Sequence, residues 1–185
     1  MVGSVGDVAA EDSLQQAADA IVAELGGIDH VVNSAGIAGT LGDPVDQVPA
    51  DEFLEVQRVN VLGAFLSVKL TLPLLKKGVN PTCTLIGSDS GFVTAPGMLA
   101  YNASKGAVAQ LTRALSVELH EPHGIRANSV YQTIVDTPMA RDGMVSTPQD
   151  IGWLVLTLAS PKSRAVNGVS LLADYGYHAR SSFPA

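Results

Sequence analysis

What most constrains this chain is a change of hydrophobic period that recurs along its length. Segments whose apolar residues return every three or four positions alternate with short apolar runs rich in β-branched residues. Helical spacing governs 11–25, where Leu14, Ala17, Ala18, Ile21, Val22 and Leu25 fall together. Gly26-Gly27 closes that helix, because glycine accepts the left-handed cap conformation. The run 28–33 reads as a buried strand, as do 82–87, 126–131 and 169–173. Between them, 51–77 and 100–120 read as long helices and 148–159 as a shorter one, with Thr147 as its N-cap and Pro148 at its first position. In the first long helix Phe53, Val56, Asn60, Val61, Ala64, Phe65 and Val68 are expected on one side. Pro73 is expected to end or kink it. Helices alternating with buried strands predict an α/β sandwich with a mostly parallel sheet, and 185 residues suffice for a single domain, 1–185.

Hydrophobic residues make up 46% of the chain and charged residues 16%, which supports a core and excludes disorder. Net charge is −7 without a basic cluster, so no nucleic-acid partner is expected. No run of 18 apolar residues occurs and residues 1–10 lack a signal-peptide pattern, so no membrane partner is expected. The single cysteine, Cys83, forbids an internal disulfide and reads as a core residue; together these predict a cytoplasmic protein.

In parallel sheets ligands bind beyond the carboxyl ends of the strands. Polar groups gather there: Asn33-Ser34-Ala35-Gly36 after the first strand, Ser88 after the second and 132–137 after the third. Tyr101 and Lys105 stand at i and i+4 of the helix that follows Ser88, on one face and about 5–6 Å apart at Cβ. A free phenol titrates near pH 10, too high for a base at neutral pH, and a neighbouring cation favours the phenolate. Tyr101 could then exchange a proton with a hydroxyl or carbonyl. Asn60, inside the long helix before Ser88, is either part of that site or a polar residue satisfying backbone.

Taken in order and spacing, Asn33-Ser34-Ala35-Gly36, Asn60, Ser88 and Tyr101-Asn102-Ala103-Ser104-Lys105 resemble the short-chain dehydrogenases/reductases over nearly the whole chain. The resemblance implies a Rossmann-like three-layer sandwich and interconversion of a secondary alcohol and a ketone with NAD or NADP. It assigns Tyr101 as acid/base, Lys105 as the group that lowers its pKa and holds the nicotinamide ribose, and Ser88 as the hydrogen-bond partner of the substrate oxygen. Asn60 would hold a water of the proton relay, and Ser90 is a rival to Ser88. Asp7, Asn33, Ala35, Gly36, Ile134 and Thr137 are implied cofactor contacts, Asp7 with helix capping as its other reading, and no metal is implied. The family also implies a homodimer or homotetramer through helices 51–77 and 100–120, with Ala107, Val108 and Leu111 as outer positions and 174–177 at an interface.

The chain departs from the family at three places. The family's opening strand-helix-strand unit, with its glycine-rich phosphate turn, has no counterpart within these residues; Gly3 and Gly6 do not form it. An N-terminally truncated member is therefore expected, and a catalytically silent relative that pairs with full-length subunits is the alternative reading. Gln132-Thr133 stands where the family has Pro-Gly. Only residues 140–146 are available for a lid. Val93, Thr94, Met98, Tyr131 and Met144 are expected to wall the substrate pocket, which would suit a small, partly apolar alcohol or ketone.

Overall fold

The computed structural model describes residues 2–139 and 146–179. Its elements in order are α1 (Glu11–Leu25), β1 (His30–Asn33), α2 (Ala50–Gln57), a π-helical segment (Arg58–Leu62), α3 (Gly63–Leu75), β2 (Thr82–Ile86), α4 (Leu99–His123), β3 (Arg126–Gln132), α5 (Pro148–Ala159) and β4 (Ser170–Ala173). The four strands form one parallel sheet in the order β1-β2-β3-β4. α3 and α4 pack on one face, with α1 and α2 against them, and α5 packs on the other. This is the expected three-layer, Rossmann-like architecture without a first strand-helix-strand unit among the described residues.

Local chemistry accounts for the helix ends. Gly26, at φ 83°, caps α1 with its N–H on the carbonyl of Val22. Thr147 and Asp150 form a reciprocal capping box at the start of α5, with Pro148 just inside, where its missing N–H is no loss. Pro73 does not end its helix; α3 continues to Leu75, because Pro73 and Lys69 one turn earlier lie on the solvent side. α4 likewise runs through Pro122 to His123.

The core lies between the sheet and the α3–α4 layer: Ala64, Val68, Leu75, Cys83, Leu85, Val108, Leu119, Ile125 and Ala127. Cys83 is a core residue as expected, and burial pushes its thiol up to about 12. Val108 belongs to this core, not to an outer helix face, and Leu111 packs against it. The expected single stripe along 51–77 is broken as well. In the π segment the Gly63 N–H bonds the Arg58 carbonyl five residues back, which rotates all that follows. Leu66, Ser67 and Val68 therefore face inward while Phe65 is exposed. By length and composition Ala50–Leu75 could cross a membrane; here its second half, α3, packs on the sheet.

Arg126 opens β3 as a buried cation that no carboxylate pairs with among the described residues. Its guanidinium donates to the carbonyls of Leu158 and Ser163, each at 2.9 Å, and to those of Ser160, Ala159 and Val166 at longer range. It thus meets the carbonyl end of α5, where a cation is favoured, and ties that helix to the sheet.

Candidate active site

A cavity of about 1360 Å³ opens beyond the carboxyl ends of the strands. Val32 and Ser34 reach it from β1 and its following loop, Ile86 and Ser88 from β2 and the turn after it, Gln132 from β3, and Ile151 and Val155 from α5. Of the residues expected from sequence, Gly36, Ser88, Tyr101, Lys105, Ile134 and Thr137 line it, with Ser90, Val93, Thr94 and Met98. Tyr131 does not. It is fully buried, edge-on to Phe92 with ring centroids 4.9 Å apart, and fills the space under Gly87 and Gly91. A Cβ at Gly87 would stand 2.4 Å from the Tyr131 ring, and one at Gly91 2.7 Å from the Lys105 carbonyl. Those two glycines let the Ser88 turn lie flat on the sheet. Met144 and most of the expected lid fall outside the described residues.

Lys105 and Tyr101 share a face of α4, with the ammonium 5.4 Å from the centre of the Tyr101 ring. Lys105 is buried and donates to the carbonyl of Ile86 at 3.1 Å. Loss of hydration lowers its pKa to about 8. Tyr101 does not follow the sequence expectation of an acidified phenol. Its pKa is raised: burial disfavours the phenolate most, a hydrogen bond with Ser88 works the other way, and the charge of Asp89 adds to the rise. The ammonium lies over the ring face, and burial sets the direction of the shift.

Asn60 sits at the centre of the π segment and is 2% exposed. Its Oδ1 accepts the N–H of Ile37 at 2.8 Å, and its Nδ2 donates to the Ile37 carbonyl and to Ser104 Oγ, both at 2.9 Å. Ser104 Oγ in turn donates to the carbonyl of Tyr101 at 2.8 Å. Asn60 therefore fastens the loop after β1 to the helix that carries Tyr101. A Cβ at Gly36 would come 3.3 Å from Asn60 Oδ1 and 3.6 Å from Lys105 Nζ, so glycine keeps the approach to the lysine open.

Three expected contacts lie elsewhere. Asn33 turns away from the large cavity, donating to Ser67 Oγ at 2.9 Å, and with Ala35 it lines a second cavity of about 560 Å³ beside α1. Asp7 lines neither cavity. Its carboxylate accepts the Ala9 N–H at 2.9 Å and pairs with Arg58 at 3.5 Å, an arrangement that fixes the turn before α1. Thr133 needs no positive φ, so losing glycine there strains nothing, and Gln132 extends β3 by one pair, opposite Ala173.

Sequence reading missed Asp89, which lines the cavity beside Ser88, and the orphaned Gln132 Oε1. The latter and Asn102 Oδ1 are the buried side-chain polar atoms without a partner among the described residues. Asp89 follows Ser88 directly, and that adjacency was the only signal; nothing in the pattern marked the Gln132 Oε1 as enclosed.

Comparison with known proteins points one way. A family model described as enoyl-(acyl carrier protein) reductase matches residues 2–178. The short-chain dehydrogenase srdC of Neurospora crassa is 32% identical, over 92% of this chain and 74% of its own length. The cyclopentanol dehydrogenase of Comamonas testosteroni is 34% identical, over 94% and 75%. A 3-ketoacyl-(acyl-carrier-protein) reductase from Brucella melitensis, solved in complex with NADH, superposes with a TM-score of 0.87 at 28% identity, covering 94% of this chain and 76% of its own.

Proposed function

The chain belongs to the short-chain dehydrogenase/reductase family, whose chemistry is NAD(P)-dependent oxidoreduction, and on that premise we propose that it interconverts a secondary alcohol and its ketone. Tyr101 exchanges the proton with the substrate oxygen, and Ser88 stands beside that oxygen. Lys105 and Asn60 support the tyrosine from behind. The observation that carries this reading is the convergence of Ser88, Tyr101 and Lys105 on one cavity, with the ammonium 5.4 Å from the phenol ring.

The nicotinamide cofactor, when bound, supplies or takes the hydride, which none of these side chains can carry. The residues present fit its nicotinamide-ribose half. Lys105 has donors beyond the one given to Ile86, Gly36 leaves the approach clear, and Ile134 and Thr137 line the same wall. No residue is assigned to the pyrophosphate, because the 185 residues hold no glycine-rich turn. What the protein itself does is protonic and steric. Tyr101 holds its proton at neutral pH, its raised pKa making it a donor to a carbonyl oxygen and a base only when the site stabilises its anion. Apolar side chains of Val93, Met98, Ile151 and Val155 wall the cavity in which that exchange takes place.

The test follows the absorbance of the reduced cofactor with NAD and NADP over a panel of alcohols and ketones. The panel includes cyclopentanol and cyclopentanone, the former named for one relative, and an enoyl thioester, in view of the family model's description. Turnover of an alcohol–ketone pair that disappears in Tyr101→Phe is expected; turnover that persists overturns the mechanism. Calorimetry without any heat of binding for either cofactor, from a folded chain, would favour the silent-subunit reading. We extend the proposal to a homodimer or homotetramer through 51–77 and 100–120, where Leu54, Leu62, Phe65 and Val117 are exposed. Sedimentation equilibrium of the wild type against Phe65→Glu tests it, a monomeric wild type refuting it.

A further inference from the structure

The proposed chemistry leaves one buried carboxylate in the cavity without a task. Asp89 opens the short 3-10 turn Asp89–Gly91 and is 9% exposed. Among the described residues no cation forms an ion pair with it. Its Oδ1 accepts the hydroxyl of Ser88 at 3.1 Å, and Ser88 Oγ itself accepts the N–H of Ser90 at 3.2 Å.

A serine hydroxyl has one hydrogen and two lone pairs. The hydrogen goes to Asp89 and one lone pair to Ser90, so what Ser88 turns towards the Tyr101 phenol and the cavity is its second lone pair. An ionised carboxylate outcompetes a neutral carbonyl for a donor. Turning the hydrogen towards a substrate carbonyl would also leave a buried charge without its hydrogen bond, which is costly. We propose that Asp89 is a positioning residue that takes the Ser88 hydrogen, makes Ser88 an acceptor towards the reacting oxygen, and so favours bound alcohol, which can donate, over bound ketone, which cannot. The assignment rests on the reading that Ser88 and Tyr101 bracket that oxygen.

The same competition reaches Tyr101. The charged groups facing its phenol are Asp89 from the turn and Lys105 from its own helix. One hydrogen cannot serve both Asp89 and the phenolate, so Asp89 keeps the phenol protonated both by its charge and by holding that hydrogen.

Asp89→Asn and Asp89→Ala test the proposal in two arms, with near-ultraviolet circular dichroism to establish that each is folded. The first arm needs neither cofactor nor turnover. Phenolate absorbance is titrated in each Asp89 variant and in its Tyr101→Phe counterpart, and the difference isolates Tyr101. Its midpoint is expected about one pH unit lower than in the wild type. An unmoved midpoint overturns the proposal, and a purely structural role for Asp89 would leave it unmoved. The second arm compares KM for cyclopentanol and cyclopentanone, or for whichever pair turns over. The variants are expected to shift the ratio about tenfold towards the ketone, the worth of one hydrogen bond; an unchanged ratio or a shift towards the alcohol overturns it. If no pair turns over, the catalytic reading fails, and the titration alone decides about Asp89.

Discussion

Replacing Lys105 by methionine should make the protein more tolerant of neutral pH while removing the proposed activity. Lys105 is 5% exposed, and among the described residues its Nζ has one hydrogen-bond partner, the Ile86 carbonyl. Burial lowers its pKa from 10.5 to about 8. A depressed folded-state pKa contributes stability that is fully present above the unfolded value, near 10.5, and lost as pH falls through about 8. At about 1.4 kcal/mol per pH unit the whole window amounts to about 3 kcal/mol, of which about 2 kcal/mol falls between pH 8 and 10. Methionine fills a similar volume and has nothing to titrate. Urea unfolding of both chains from pH 7 to 10 provides the measurement, and groups common to both cancel in the difference. The wild type should gain about 2 kcal/mol on the variant across that range. A difference that stays constant from pH 7 to 10 would refute the reasoning, since the ammonium would then be as well accommodated folded as unfolded.

Three further outcomes follow from the packing. Gly87→Ala places a methyl 2.4 Å from the Tyr131 ring and should destabilise by about 2 kcal/mol in urea titration, with loss of the near-ultraviolet tyrosine signal. Asn60→Ala leaves both Ile37 backbone groups without partners and should cost about 3 kcal/mol by the same titration; a loss under about 1 kcal/mol would mean that water replaces it. Arg126→Met strands the carbonyl end of α5 and should lower stability by about 2 kcal/mol, with amide exchange in α5 rising more than in α4.

The fold was legible because its signals are local. α1 and α5 were placed to the residue, since Gly26, Thr147 and Pro148 are end-markers whose effect depends on neighbours in the chain. The arrangement of Ser88, Tyr101 and Lys105 was legible because a strand end and a helical i, i+4 pair fix direction without knowledge of the rest. What escaped was decided by tertiary packing. Tyr131 was taken for a cavity wall because it ends a strand beside the site, but Gly87 and Gly91 draw the turn down onto it and seal it off. Tyr101 was expected to be acidified by its neighbour, but burial is a property of the assembled site and reverses the direction. Asn33 belongs to a familiar motif, yet an alternating strand sends its side chain towards α3, where Ser67 takes it.

The π segment also sets how this chain can change in length. A wide turn holds one residue more than regular winding needs, so deleting a residue from 58–62 would let α2 and α3 merge into an unbroken α-helix. Loops usually tolerate changes of length without cost to the scaffold. Here a one-residue loss would leave a more regular scaffold and withdraw Asn60 from Ile37 and Ser104, uncoupling the helix that bears Tyr101 from the loop that bears Gly36. Among sequences descended from this one, the spacing between β1 and β2 should therefore vary in the connection 38–49, ahead of α2, and hold constant through Arg58–Leu62.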